Sequence, residues 1–376
     1  MRGLHELRKD ILLKKFNHVK GEIGQIKSQE RQFFSSILSE IEKRFGELPR
    51  LENLFLKTGN KEFYKSYLSK LDDIEVLIDQ YLEMNWYLYE TYKYQHEDPK
   101  LKKELHLIES FVEKILTSTG AKNDLLVILG SVLSVMDSIG MEEHEFGRFF
   151  FIPFFERENY LLWPLFPHEL GHAFYDQKRP IFEHFYEEMS KVVKRDFIKT
   201  PGEESERKRE EQLRRFKTTW HDWMLEIFAD IYGVLTLGPA FLFSYLHQNL
   251  CANPYRLLEN EMGRYEHPPH IIRTKIHFSV LKGIIQNEII MEVVEDLERK
   301  YDLYEQNVAE PESTLYQMLV CDDLINASIK ECENIPRIYV DKEEKIASEL
   351  DSPKSTLNED PITALNVIWL KKLTEA

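Results

Sequence analysis

The residues best suited to chemistry begin in the stretch LLWPLFPHELGHAFYD, residues 161–176. His168 and His172 stand four positions apart, and Glu169 directly follows the first of them. In a helix of about 3.6 residues per turn, positions i and i+4 lie on one face, so both imidazoles can reach one metal ion. Glu169 would then lie beside the ion, where it can take a proton from a bound water. This spacing predicts a metal-dependent hydrolytic site on a helix.

The residues around these three side chains fit a buried helix. Pro167 suits the first turn, where the missing N–H of proline costs nothing. The flanking residues are apolar, so the site would be partly dry. Gly171 costs about 1 kcal/mol relative to alanine inside a helix. We therefore expect another segment to pack closely against this turn.

A catalytic zinc ion takes three protein ligands and keeps one position open. The metzincin class would place glycine and histidine three and six residues after the second histidine, but this chain has Tyr175 and Lys178 there. That class is therefore excluded. The segment WHDWMLEIFADIYG, residues 220–233, offers Glu226 and Asp230 on one helix face among apolar neighbours.

Two carboxylates in an apolar helix need partners, because an unpaired buried charge is costly. Glu226 as the third metal ligand would satisfy one of them. Asp230 as the hydrogen-bond partner of a liganding histidine would satisfy the other.

HELGH followed by Glu226, Ala229 and Asp230 resembles the gluzincin zinc metallopeptidases, over roughly residues 145–275. The resemblance implies a zincin-like fold with Zn²⁺ as cofactor. It implies the metal ligands His168, His172 and Glu226, the general base Glu169, and Asp230 as the residue that orients a histidine. The separation between His172 and Glu226 is longer than in compact members of the group, which a charged insertion over about 177–216 would explain.

A second segment, YEHPPHIIRTKIH, carries His267, His270 and Arg273 after two prolines. It is similar to the His-Pro…Arg segment of the CAAX-prenyl and HtpX-type peptidases. The resemblance implies that His267 and Arg273 are catalytic and contact the substrate or the oxyanion. The alternative is a cluster that caps a helix or forms salt bridges.

Bulk composition excludes several classes of protein. Asp+Glu number 65 against 49 Lys+Arg, a net charge of −16, so nucleic acid is not an expected partner. None of the three cysteines belongs to a CxxC pair, and we expect free thiols in a reducing compartment: Cys251, Cys321 and Cys332. No secretory signal and no membrane span are expected, since the longest uncharged run contains Gly238 and Pro239. The expected location is cytoplasmic.

Periodicity predicts a mainly α protein with a small β-sheet (α+β). The expected domains are a helical bundle or long hairpin over 1–120, a gluzincin-like metallopeptidase domain over 121–300, and a C-terminal helical region over 301–376 that packs on it. The N-terminal helices could also bind a partner or self-associate.

At the level of elements, one long helix is expected over the first 45 residues, ended by Gly46 and Pro49. Further helices are predicted at about 60–95, 100–118, 124–138, 217–237, 239–250, 271–286, 288–308, 312–330 and 361–374. A β-hairpin is predicted with strands near 149–154 and 160–165. Either strand could be an edge on which an extended peptide adds, or a plain core strand.

The predicted function is hydrolysis of peptide bonds in a peptide or protein substrate, by a zinc-activated water with Glu169 as base. The alternative is a silent or latent scaffold or binding protein that keeps the fold. Hydrolysis of a different amide by zinc also stays open.

Overall fold

The computed structural model describes residues 2–25, 28–121, 125–130, 133–137, 148–153, 159–198, 206–249, 267–268, 270–306 and 335–374. Helices dominate these residues, and one three-stranded sheet accompanies them. The prediction of a mainly α fold with a small β-sheet is confirmed. The chain divides into two compact units, the first made of residues 1–105 with 124–154 and the second of 106–123 with 155–376.

The first unit holds helices α1 (Arg2–Gln25), α2 (Ser28–Thr58), α3 (Lys61–Val76) and α4 (Glu83–Glu97), with a π-helical segment at Leu77–Leu82, and strands β1 (Leu125–Gly130), β2 (Ser134–Asp137) and β3 (Arg148–Pro153). Helix α5 covers Pro99–Ser118. The second unit holds α6 (Phe166–Gln177), α7 (Arg179–Ile198), α8 (Glu206–Leu237), α9 (Pro239–Asn249), α10 (His270–Ile284), α11 (Glu288–Gln306), α12 (Glu343–Glu349) and α13 (Pro361–Thr374). No helix within these described ranges has the length and apolar content needed to cross a membrane.

The first 45 residues fold as a helical hairpin, so the prediction of one long helix is wrong. The ring of Phe16 on α1 contacts that of Phe45 on α2 at 5.8 Å between centroids. In one continuous helix these residues would be about 43 Å apart. The seam predicted on α1 is buried, and folding back allows α2 to cover it.

Helix α2 also runs through Gly46 and Pro49, which were predicted to end it. An internal proline costs a helix about 3 kcal/mol or more. The adjacent Leu48 is buried in the core of the unit, and Phe45 packs against that core. This tertiary packing offsets the local cost, which sequence signals alone do not reveal.

The run LLVILGSVLSVMDS forms strands β1 and β2, so the helix predicted over 124–138 is wrong. Strand β1 pairs in parallel with β3, and β2 pairs with β3 antiparallel, giving the order β1-β3-β2. A short apolar run is compatible with either a buried helix or a buried strand. Val127 and Ile128, which are β-branched and buried, favour the strand.

The strand predicted near 149–154 is confirmed as β3, but the one near 160–165 is wrong, because Trp163–Leu165 is a 3₁₀ turn that leads into α6. The proposed peptide-binding edge is also contradicted, since β3 is bonded on both sides. On β1, the Gln95 side chain occupies the other side at Leu129. Its Oε1 accepts from the Leu129 N–H at 2.8 Å, and its Nε2 donates to the Leu129 carbonyl at 3.0 Å.

The remaining predicted helices are found where the structure describes them, and 351–360 forms the expected loop. The helix predicted at 312–330 and all three cysteines lie outside the described residues, as do residues 199–205 of the charged insertion between α7 and α8.

Helices α8 and α9 meet at Gly238, which has a φ of 60°, and the Asn366 side chain ties the junction together. Asn366 Nδ2 donates to the carbonyls of Leu237 at 2.8 Å and Ile362 at 2.9 Å, and its Oδ1 accepts from the Ala240 N–H at 3.0 Å. The amide therefore satisfies backbone groups that are buried at this junction.

We expect Asn366→Leu to lower the free energy of unfolding by about 2–4 kcal/mol, since buried backbone groups of Leu237 and Ala240 lose their partner. Denaturant unfolding followed by tryptophan fluorescence measures this. Ile368→Ala, an exposed change on the same helix, is the control and should stay within about 0.5 kcal/mol of wild type. Equal effects in the two variants would contradict the expectation.

Candidate metal centre

The motif helix α6 forms as predicted. It begins at Phe166, and Pro167 lies in its first turn. Leu170 and Phe174 are buried on its core side. The imidazoles on the opposite side keep some contact with solvent, with 13% of the His168 side chain and 29% of the His172 side chain exposed. Both rings are therefore in part open to solvent.

At Gly171, helices α6 and α8 pack closely against each other. A Cβ atom at this position would lie 2.8 Å from the Ala229 Cα and 3.2 Å from the Ala229 Cβ, closer than real side chains tolerate. The sequence expectation of close packing on this turn is confirmed. This close packing lets side chains of α6 and α8 contact one another.

Gly171→Ala is expected to destabilise the protein by about 1–3 kcal/mol, because the new methyl group must push α6 away from α8. The matched control is Gly46→Ala in α2, where nothing lies within 4 Å of the added Cβ. We expect that change to stabilise by about 0.4–1 kcal/mol. Denaturant unfolding of both variants tests the contrast, and a Gly171→Ala protein as stable as wild type would refute it.

Helices α6 and α8 bring together the three side chains predicted to hold a metal. One ligand atom from each of His168, His172 and Glu226 lies within 4.8 Å of the others. His168 Nε2 is 3.4 Å from Glu226 Oε2, and His172 Nε2 is 3.4 Å from Glu226 Oε1. No other group of metal-ligating side chains was found within the described ranges.

The two histidine–carboxylate separations, each to a different oxygen of Glu226, are of the size found between ligand atoms around a small cation. Bonds of about 2.0–2.1 Å at a tetrahedral angle place two ligand atoms about 3.4 Å apart. Glu226 Oε2 is buried and receives no well-oriented hydrogen bond from any residue that the structure describes. A buried acceptor in that state is costly, and a cation would satisfy it.

Behind the three ligand atoms, Asp230 supports His168. Asp230 Oδ1 lies 2.9 Å from His168 Nδ1, which leaves His168 Nε2 turned towards Glu226. Arg273 on α10 binds the same carboxylate twice, with Nε at 2.6 Å from Oδ2 and Nη2 at 2.7 Å from Oδ1. Asp230 and His168 thus lie as close as the predicted hydrogen bond requires, but His168 Nδ1 makes no well-oriented hydrogen bond within the described residues, so that bond stays a prediction.

The electrostatics of this cluster favour a bound cation. Glu226 and Asp230 carry two negative charges and Arg273 one positive charge, so neutral imidazoles leave one negative charge uncompensated. Burial lowers the pKa of His168, but Asp230 and Glu226 raise it by more, to about 10. Without a metal, the carboxylates therefore hold a proton on His168. Burial alone would raise the pKa of Glu226, yet the surrounding imidazoles, His168 foremost, hold it well below its usual value.

Glu169 lies in the first turn of α6, next to His168, and is half-buried. Within the described part of the chain it makes no ion pair or hydrogen bond through its carboxylate. A half-buried carboxylate without a fixed partner among these residues is suited to bind a water molecule.

The two residues suggested by the His-Pro…Arg segment both reach Glu226, in different ways. His267 is half-exposed, with 51% of its side chain accessible, and its Nδ1 lies 2.9 Å from Glu226 Oε2. Arg273 is buried and contacts Glu226 Oε2 through Nη1 at 3.4 Å, while Nε and Nη2 bind Asp230. The structure thus brings both to the site, and their catalytic role remains a prediction.

His270, another histidine of this segment, contacts a different residue. The Tyr245 hydroxyl on α9 lies 2.7 Å from His270 Nδ1, and the Arg273 guanidinium stacks over the Tyr245 ring at 5.1 Å. Burial and the Arg273 charge lower the pKa of His270 to about 4, so it is neutral at physiological pH.

Sequence reasoning missed His277, whose Nε2 lies 3.2 Å from Asp230 Oδ2. A signal was present, because His277 follows Arg273 by four residues in HIIRTKIH and therefore lies on the same helix face.

Comparison with known proteins adds no identification. No protein-family model, no curated protein and no solved structure matches the chain.

Proposed function

We propose that this protein is a zinc-dependent peptidase in which His168, His172 and Glu226 hold the ion and Glu169 is the general base. The observation that carries the proposal is the meeting of these three ligand atoms from two helices, within 4.8 Å of one another. The two 3.4 Å separations between the histidine nitrogens and Glu226 support zinc, and a cation would balance the negative charge of the buried carboxylates. The cysteine usage supports a cytoplasmic location as part of the same proposal.

A bound zinc ion would supply a Lewis acid and would lower the pKa of a coordinated water to about 7. The protein's own groups do the rest. Glu169 takes a proton from the attacking water and then delivers it to the leaving nitrogen of the cleaved amide. Asp230 keeps His168 in the orientation in which Nε2 is the ligand.

Between the two residues suggested for the oxyanion, His267 is the better placed. Its side chain is half-exposed beside Glu226, so its ring can meet a substrate that approaches from solvent. Arg273 has two of its nitrogens bound to Asp230 and is buried. We propose that Arg273 fixes the two carboxylates and that His267 stabilises the developing negative charge.

The partial exposure of His168, His172 and Glu169 supports hydrolysis rather than a purely structural metal site, because structural zinc sites are closed by a fourth protein ligand. Hydrolysis of an unfolded protein substrate by the zinc-loaded chain, and its loss in Glu169→Gln, tests the proposal. Zinc binding without any hydrolysis would favour the silent scaffold instead.

A further inference from the structure

The carboxylate of Asp230 has close contacts on both oxygens. Oδ1 lies near His168 Nδ1 and accepts from Arg273 Nη2, while Oδ2 accepts from Arg273 Nε. The ring of His277 approaches Oδ2 as well, with Nε2 at 3.2 Å. The two histidines therefore approach opposite oxygens of one carboxylate, and both Arg273 and His277 come from α10.

The surroundings of His277 are unusual for a histidine. The side chain is fully buried, with 0% exposure. The rings of Phe241 and Tyr245 meet it edge-on, at 5.2 Å and 4.7 Å between centroids. Both ring nitrogens are buried, and neither makes a well-oriented hydrogen bond to a residue that the structure describes, so Nε2 meets Asp230 as a close polar contact. If only packing mattered, phenylalanine or leucine would fill this place at lower cost.

The contact with Asp230 explains why a polar ring is kept there. An ionised carboxylate only accepts hydrogen bonds, so this contact is attractive when the ring nitrogen that faces it, Nε2, carries the proton. Arg273 donates one hydrogen bond to each oxygen of the carboxylate. His277 lies one helical turn further along α10, and its Nε2 adds a second contact to Oδ2 at 3.2 Å.

We propose that His277 is a positioning residue of the metal centre, whose Nε2–H fixes Asp230 so that Oδ1 stays aimed at His168 Nδ1. His277 acts on Asp230, Asp230 acts on the orientation of His168, and that orientation affects the affinity for the ion. This inference rests on the proposed zinc site and extends it by one further layer of residues. Partners in outer layers of metal sites commonly change metal affinity by about 10–100-fold.

The test compares His277→Phe with His277→Gln. Phenylalanine keeps the ring between Phe241 and Tyr245 but removes the N–H. Glutamine keeps an N–H near the position of Nε2. We expect the zinc Kd of His277→Phe, measured by competition with a chelator, to rise by about tenfold or more, and that of His277→Gln to stay near wild type. The metal-free His277→Phe protein should unfold at the same denaturant concentration as wild type or a higher one.

Tyr245→Phe is the matched control, because it removes a hydroxyl from the same packed layer and leaves the ring against His277. It should bind zinc as wild type does. A wild-type Kd in His277→Phe would overturn the proposal. So would equal losses of affinity and metal-free stability in all three variants, which would indicate packing alone. If His277→Phe fails to fold, His277→Leu replaces it in the comparison with His277→Gln.

Wild-type protein that binds no zinc would contradict both the proposed function and this inference. If the wild-type protein binds zinc and His277→Phe binds it equally well, only this inference is contradicted. The two failures are therefore distinguishable.

Discussion

Replacing Glu169 with glutamine should lower peptide turnover by about 10²–10⁴-fold and leave the zinc content unchanged. Glutamine has the size of glutamate but cannot take a proton from water. Because the Glu169 carboxylate pairs with no other residue in the described ranges, the substitution should not disturb its surroundings. The loss therefore reports on proton transfer rather than on folding or metal binding.

The measurement is the cleavage rate of a fluorescent unfolded protein by zinc-loaded wild type and variant, with zinc content determined on the same samples. Glu183→Gln on α7 is the control, since Glu183 is exposed and its carboxylate lies 3.4 Å from Arg179 Nε on the surface of the same helix. It should cleave at the wild-type rate. Turnover by Glu169→Gln at the wild-type rate would contradict the role of general base.

The second large effect is expected for His168→Ala, which should weaken zinc binding by about 10²–10³-fold. A zinc site with four protein ligands contributes about 10–16 kcal/mol, so one ligand of such a set accounts for several kcal/mol. The substitution also removes the imidazole that faces Asp230 Oδ1. Protein purified without added metal should then contain almost no zinc.

Chelator competition gives the zinc Kd of His168→Ala, and His221→Ala serves as its control. His221 is an exposed histidine on α8, five residues before Glu226, and its removal should not alter the zinc Kd. Tight zinc binding that survives His168→Ala, or that is lost in His221→Ala, would place the ion somewhere other than in this cluster.

More of the candidate site than of the fold could be predicted from the sequence. His168 with His172, and Glu226 with Asp230, are pairs at i and i+4, and helix geometry alone puts each pair on one face. Gly171 predicted that another segment packs closely on this turn, and the neighbour is Ala229. The meeting of the two pairs follows from the need of buried carboxylates for partners.

What could not be predicted depends on contacts between distant segments. Pro49 continues a helix because Leu48 beside it is buried, and the run at 124–138 forms strands because β3 lies between them. His277 supports Asp230 only because α10 packs beside α8. Local patterns carry no information on such packing, since helix and strand signals in short apolar runs are alike.

The most direct test of the central claim is anomalous diffraction at the zinc absorption edge from crystals of the wild-type protein. We expect one strong peak about 2.0–2.1 Å from His168 Nε2 and His172 Nε2 and about 2.0–2.2 Å from a Glu226 oxygen. A strong peak bound by other side chains, or fully loaded crystals with no peak between α6 and α8, would contradict it.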